Sequence, residues 1–139
     1  SQQRLDGCLD ALHRLGVPFD FDRQYVLADF SMQGGYAAAE HLLAHCPGLT
    51  AIFAMSDLMA VGAIRAILDH GLRVPQDIAV AGYDGIALGR YTAPRLTTIR
   101  QNTTVLAERA ADILLRCIEE NAPAAHEIVP FELVEGESV

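Results

Sequence analysis

Three short polar clusters fall where apolar runs of the sequence end: Asp29-Phe30-Ser31, Ser56-Asp57 and Tyr83-Asp84-Gly85. If those runs are parallel strands, the clusters share one edge of a sheet. Open parallel sheets bind ligands beyond the carboxyl ends of their strands. A carboxylate such as Asp84 accepts hydrogen bonds only and can take two hydroxyl protons. An arginine fork, available in Arg4, can donate to the same pair of hydroxyls. An aromatic ring, available in Phe30, can cover the apolar face of a sugar-like ligand. Short polar residues also favour helix caps and turns, so on residue types alone both readings stand.

Other chemistry is poorly supplied. His41 and His45 have the four-residue spacing of a metal clamp, but the stretch HLLAH lacks the glutamate of a zinc-protease motif and an evident third ligand. It reads as a pair of surface histidines. Asn102-Thr103-Thr104 has the form of a glycosylation sequon, yet it fits a helix start capped by Thr103 or Thr104. No nucleophile elbow, P-loop or dinucleotide fingerprint is found. Catalytic residues, metal ligands and a cofactor are therefore not proposed.

The elements that must position the clusters follow from hydrophobic period. Leu5, Cys8, Leu9, Leu12 and Leu15 make a helical stripe that Gly16 and Pro18 stop. YVLA at 25–28 reads as a short strand. Ser31 can cap a helix with Tyr36, Ala39, Leu42, Leu43 and Cys46 on its apolar face. Residues 50–55 read as a strand and 57–70 as a helix that Asp57 caps. IAVAG at 78–82 fits a strand covered on both faces. Residues 83–94 are loop-like, 96–100 a further strand, and 103–121 a helix broken at Asn121-Ala122-Pro123. Residues 127–134 close as extended chain, with Pro130 favouring an edge. Strands alternating with helices predict an α/β fold with an open, mostly parallel sheet and helices on both faces.

The totals narrow the classes further. The chain has 139 residues, 51% hydrophobic and 20% charged, which suits one folded domain. Its formal net charge of -8, with no basic cluster, makes it a poor nucleic-acid or membrane-surface binder by itself. No apolar run reaches the roughly 20 residues of a membrane span. Cys8, Cys46 and Cys117 are odd in number and far apart, and read as small buried hydrophobes in a reducing compartment. A sequence opening inside a helical pattern reads as part of something longer.

Four pieces, AIFAMSDLMAVGA, RVPQDIAVAGYD, PRLTTIRQN and ELVEGES, occur in the order and spacing of the LacI family of bacterial transcription repressors, and SQQRLDG resembles the segment before them. The resemblance spans nearly the whole chain. It implies a periplasmic-binding-protein-like effector domain, of which residues 1–139 would be most of the carboxyl-terminal lobe, with helix 103–121 returning towards an absent lobe. The implied partners are a small-molecule effector, a sugar or related metabolite, and operator DNA through an absent amino-terminal domain. A homodimer in the cytoplasm is implied as well, with no membrane contact. The helix from Asp57 and the loop near Tyr91 are candidate dimer contacts.

Residue by residue, the resemblance implies effector binding by Arg4, Phe30, Ser56, Asp84 and Gln101. Ser56 departs from the family's usual asparagine, keeping a hydroxyl but losing a two-donor amide. The resemblance also implies a first strand preceding SQQR and lying inside the sheet. Without it, two neighbours would keep unpaired backbone groups, so strand exchange, dimerisation or a partner segment is expected to fill the gap. The competing functions are a periplasmic sugar-binding protein of a transport system and an enzyme on an α/β sheet.

Overall fold

Helix α4 (Asp57–Asp69) is the pivot of the computed structural model, which describes residues 2–121, 123 and 125–139. It leaves strand β1 (Ala51–Phe53) and leads to strand β2 (Ala79–Asp84), the expected βαβ unit. Strand β3 (Thr97–Gln101) lies beside β2, and strand β4 (Phe131–Val134) pairs antiparallel on its far side. The sheet order is β1-β2-β3-β4, with the first three parallel. Before it come helices α1 (Gln2–Arg14), α2 (Phe21–Gln24) and α3 (Met32–His45); helix α5 (Thr103–Glu119) follows β3.

The core forms where α4 lies between α3 and the sheet. Met59, Ala60, Ile64 and Ile67 of α4 meet Ala54, Val74, Ile78, Val80 and Leu96, all buried. Two glycines let the helices approach. A Cβ on Gly62 would overlap the Met32 carbonyl and the Tyr36 nitrogen, and one on Gly35 would overlap the backbone of Met59. Eight residues of α4 are buried against α3 and the sheet, while Leu58 and Val61 are half-buried and Arg65 and Leu68 exposed on its outer face; Tyr91 is exposed as well.

Several local expectations are corrected. The caps are Ser56 for α4, accepting from Met59 N at 3.3 Å, and Asn102 for α5, accepting from Val105 N at 3.2 Å. Asp57, expected to cap, sits in the first turn with its carboxylate turned into the protein. Residues 83–94 are not all loop: β2 runs to Asp84, and Ala87–Arg90 forms a 3-10 turn. Of the cysteines only Cys46 is buried; Cys8 and Cys117 are partly exposed because α1 and α5 bury no residue fully. Of the expected helix break, Ala122 lies outside the described residues, as does Ser1 of the SQQRLDG segment.

YVLA at 25–28 is extended but pairs with no strand, against expectation. A strand exists only through its ladder, and among the described residues no strand lies against this segment. Between this segment and the outer edge of β1 lie recesses lined by Tyr25, Val26, Phe53, Ala54 and Met55, with Gln2 and Leu5 at one end. Only one face of β2 is fully covered: Val80 and Gly82 are buried, whereas Ala79, Ala81 and Tyr83 are half-buried. Over that second face α1 stands off, leaving about 810 Å3 lined by residues that include Cys8, Phe53, Tyr83, Ile99 and Phe131.

The carboxyl-terminal tail locks the lower end of the sheet. Ser138 is fully buried; its hydroxyl donates to Val80 O at 2.6 Å and accepts from Thr97 N at 2.8 Å, while its carbonyl accepts from Val80 N. The turn into β2 is held by Arg73, whose side-chain and backbone N–H groups donate to Asp77 at 2.8–2.9 Å. These bonds draw the Asp77 carboxyl from its ordinary 3.8 down to about 2. A carboxyl depressed by folding stabilises the fold above its ordinary value and loses that contribution as pH falls through the folded one. Asp77→Asn is therefore expected to flatten the fall of the thermal midpoint between pH 3.8 and about 2 without steepening it near neutrality.

Candidate functional site

The carboxyl ends of β1, β2 and β3 converge on Asp84. It closes β2 with φ at 114°, and Gly85 follows at 72°, so two successive residues take up positive φ. The turn is tight: a Cβ on Gly85 would press against Arg100 of β3. This geometry turns the chain sharply and leaves the Asp84 carboxylate at the sheet edge, one third exposed.

Three side chains meet there. Arg4 reaches from α1 and donates through Nη2 to Asp84 Oδ1 at 2.9 Å, and through Nη1 to the Met55 carbonyl at 2.5 Å. Gln101, the last residue of β3, donates through Nε2 to the same Oδ1 at 3.1 Å. Among the described residues Asp84 Oδ2 takes no hydrogen bond. The Arg4 guanidinium lies 3.9 Å above the centroid of the Tyr83 ring, a cation–π contact worth about 0.5–1 kcal/mol at a site of this exposure. Arg4 is thus fixed by a carboxylate, a carbonyl and an aromatic face.

Chemically this is a donor fork beside an acceptor carboxylate. In the structure they satisfy one another. A vicinal pair of hydroxyls could take over both roles at once, giving protons to Asp84 and accepting from Arg4 and Gln101. No redox or nucleophilic group stands among them.

Of the residues singled out from sequence, Arg4, Asp84 and Gln101 come together. Phe30 does not join them directly: it is 51% exposed and lines the small recess beyond Met55 with Gln2, Leu5 and Met59. Ser56 is buried, and its hydroxyl is engaged as the α4 cap. Tyr83, named from sequence only as part of the cluster at the end of β2, supplies the ring beneath Arg4, a role that its residue type and place did not assign. His41 and His45 stack with centroids 4.1 Å apart on the exposed side of α3, and no metal-ligating cluster occurs among the described residues.

Behind the site lies a second carboxylate. Asp57 is fully buried, with Oδ1 accepting from Thr98 Oγ1 at 2.5 Å and Oδ2 from Ile86 N at 2.7 Å. Burial pushes its carboxyl up, and the bonds from Thr98, Ile86 and Gly85 oppose that in part.

Comparison with known proteins bears on this arrangement. A family described as "Periplasmic binding protein-like domain" matches residues 1–139. The chain is 37% identical over 135 residues to the HTH-type transcriptional regulator MalR of Clostridium butyricum, covering 97% of this chain and 40% of that protein. Among solved structures, a complex of the transcriptional regulator CelR with cellobiose superposes with a TM-score of 0.92 at 32% identity, covering 98% of this chain and 42% of that one. A LacI family transcriptional regulator from Enterococcus faecium with bound ribose superposes at 0.84 and 31% identity, covering 97% and 50%. The chain spans about two fifths of the length of the curated relative it matches.

Proposed function

The chain belongs to the periplasmic binding protein-like family, as that domain occurs in LacI-type transcriptional regulators, and from this premise we propose that it binds the effector of such a regulator. The effector is a small polyhydroxylated molecule, a sugar or related metabolite, seated at Arg4, Asp84 and Gln101 with Phe30 at the rim. The observation that carries this reading is the Asp84 carboxylate, presented at the strand ends with one oxygen held by Arg4 and Gln101 and the other open. Complexes of relatives with cellobiose and with ribose support a sugar. The account involves binding and conformational change, with no reaction catalysed.

In this reading residues 1–139 are one partial effector domain. Helix α5, at 103–121 in the sequence reading, runs towards a second lobe. Its exposed Leu106, Leu114, Leu115 and Ile118, with no buried residue on the helix, favour such a partner surface. The effector closes the two lobes and alters operator binding by an amino-terminal domain outside this chain, acting as a homodimer in the cytoplasm. Effector affinity must differ between two lobe arrangements for that to happen. A periplasmic sugar-binding protein of a transport system is the alternative; an export signal on the full gene would favour it.

The recess between 25–28 and β1 calls for a β-strand from elsewhere, by strand exchange, dimerisation or a partner segment. The 139-residue chain is accordingly expected to associate as concentration rises. Light scattering that finds a monomer throughout, with a sheet closed by its own residues, would contradict this.

Calorimetric titration of the full-length protein with D-ribose, cellobiose, sugar phosphates and purines tests the proposal. At least one hydroxyl-rich compound is expected to bind, and Arg4→Met to weaken it by about tenfold or more, the cost of a charged hydrogen bond. Absence of binding across the panel would count against a sugar effector.

A further inference from the structure

Asp84 can serve as a hydroxyl acceptor only if its unusual backbone is held in place. A non-glycine residue at φ 114° is strained and persists only where its surroundings over-determine it. One of the groups that hold the turn is a buried side chain. The Asp57 carboxylate receives the N–H of Ile86, two residues after Asp84, at 2.7 Å. Its other oxygen receives the Thr98 hydroxyl from β3, the strand that ends in Gln101.

Asp57 itself is anchored one residue after Ser56 at the start of α4, next to Met55, whose carbonyl holds Arg4. The path of β2 accommodates it, because a Cβ on Gly82 would collide with Asp57 Oδ1. A fully buried carboxylate with no cation among its partners is a costly way to fill a core. Its bonds go instead to the segments that carry the ligand-facing groups.

We propose that Asp57 is a positioning residue for the effector site, holding the Asp84-Gly85-Ile86 turn and β3 so that Asp84 meets Arg4 and Gln101. This rests on the effector reading of that site, but the positioning itself is a property of the protein without ligand. Asp57 touches no effector.

Two substitutions separate positioning from mere packing. In Asp57→Asn the amide oxygen accepts from Ile86 N–H, and the amide nitrogen donates to Thr98 Oγ1, which accepts. In Asp57→Leu the branched outline is kept and both acceptors are lost, with two methyl groups larger than the oxygens they replace. A third, Ile86→Pro, deletes the donor and leaves Asp57 in place; Ile86 has φ -69°, within the range that proline fixes.

The experiment has two readouts on the full-length protein, with the thermal midpoint as control. The first, free of ligand, is the set of guanidinium N–H resonances of Arg4, resolved when the group is pinned and averaged when it turns freely. The second is the dissociation constant for D-ribose and for cellobiose. Asp57→Asn is expected to retain the wild-type resonances and affinity. Asp57→Leu and Ile86→Pro are expected to average the resonances and weaken binding by about 30-fold or more, the scale on which misplacing a contact group acts.

Asp57→Leu or Ile86→Pro that keeps resolved Arg4 resonances would overturn the proposal, as would a fall in midpoint with unchanged affinity. If Asp57→Leu does not fold, Ile86→Pro decides. If the wild type binds neither sugar, the effector reading fails for those probes, and the Arg4 resonances alone still decide the role of Asp57.

Discussion

Asp84→Asn in the full-length protein is expected to leave operator binding intact and to weaken effector binding by about 30- to 1000-fold. The asparagine side chain is isosteric, and its oxygen can still accept from Arg4 and Gln101, which both donate to Oδ1. It replaces the open acceptor, Oδ2, with a donor. A hydroxyl bonded to a carboxylate contributes about 1.5–3 kcal/mol, and with weakened pairing to a second hydroxyl the loss is about 2–4 kcal/mol. Asparagine is also among the residues that best tolerate positive φ, so the turn at φ 114° survives. Asp84→Ala removes both acceptors, leaves Arg4 without its carboxylate, and is expected to abolish the response to effector while sparing operator binding. Unchanged induction in either variant removes Asp84 from the site.

Gly62→Ala is expected to cost about 3 kcal/mol or more, and Gly62→Val to prevent cooperative folding. The added Cβ would overlap the Met32 carbonyl and the Tyr36 nitrogen, backbone atoms of α3 that cannot rotate away. The helices must separate, and the layer of Ala60, Ala63, Ile64 and Ile67 separates with them. Overpacking of this kind usually costs 1–3 kcal/mol, and a clash with backbone lies at or beyond the upper end. Against a typical domain stability of about 5–15 kcal/mol the loss is large. Gly7→Ala in α1 is the control, since a Cβ there meets nothing within 4 Å; it is expected to stabilise by up to about 1 kcal/mol. Thermal unfolding of the three variants checks the pair of expectations, and a Gly62→Ala midpoint equal to wild type would contradict the packing described.

Much of this architecture was legible because local signals and tertiary demands agree. The apolar run before Ser56, the helical period after it and the run 78–82 became β1, α4 and β2. Elements failed where the deciding partner is not local. YVLA at 25–28 has a strand's composition, but no ladder is available to it in the described sheet. The stripes of α1 and α5 have helical period, yet neither helix buries a residue fully. Periodicity reports an apolar face and says nothing about what covers it.

The site divides in the same way. Asp84 was legible from residue type and position at a strand end. The placing of Arg4 beside it, across 80 positions of sequence, rested on a motif resemblance. The roles at the Ser56-Asp57 junction were exchanged. Either short polar residue can cap a helix, and only the approach of Thr98 and Ile86 settles that Asp57 turns inward while Ser56 caps. Tyr83 was named with the cluster at the strand end, but its contact is with a cation from another element, which no local pattern shows.

The most direct test of the central claim is operator binding by the full-length protein, measured by fluorescence anisotropy while sugars are titrated in, for wild type and Asp84→Asn side by side. The account predicts that one sugar shifts wild-type operator affinity by about fivefold or more, the lower range of allosteric coupling. It predicts that Asp84→Asn binds the operator equally well and does not respond at the same sugar concentrations. A sugar that shifts both proteins equally would contradict the placement of the effector at Asp84, and operator binding that no sugar shifts would contradict a sugar-responsive regulator.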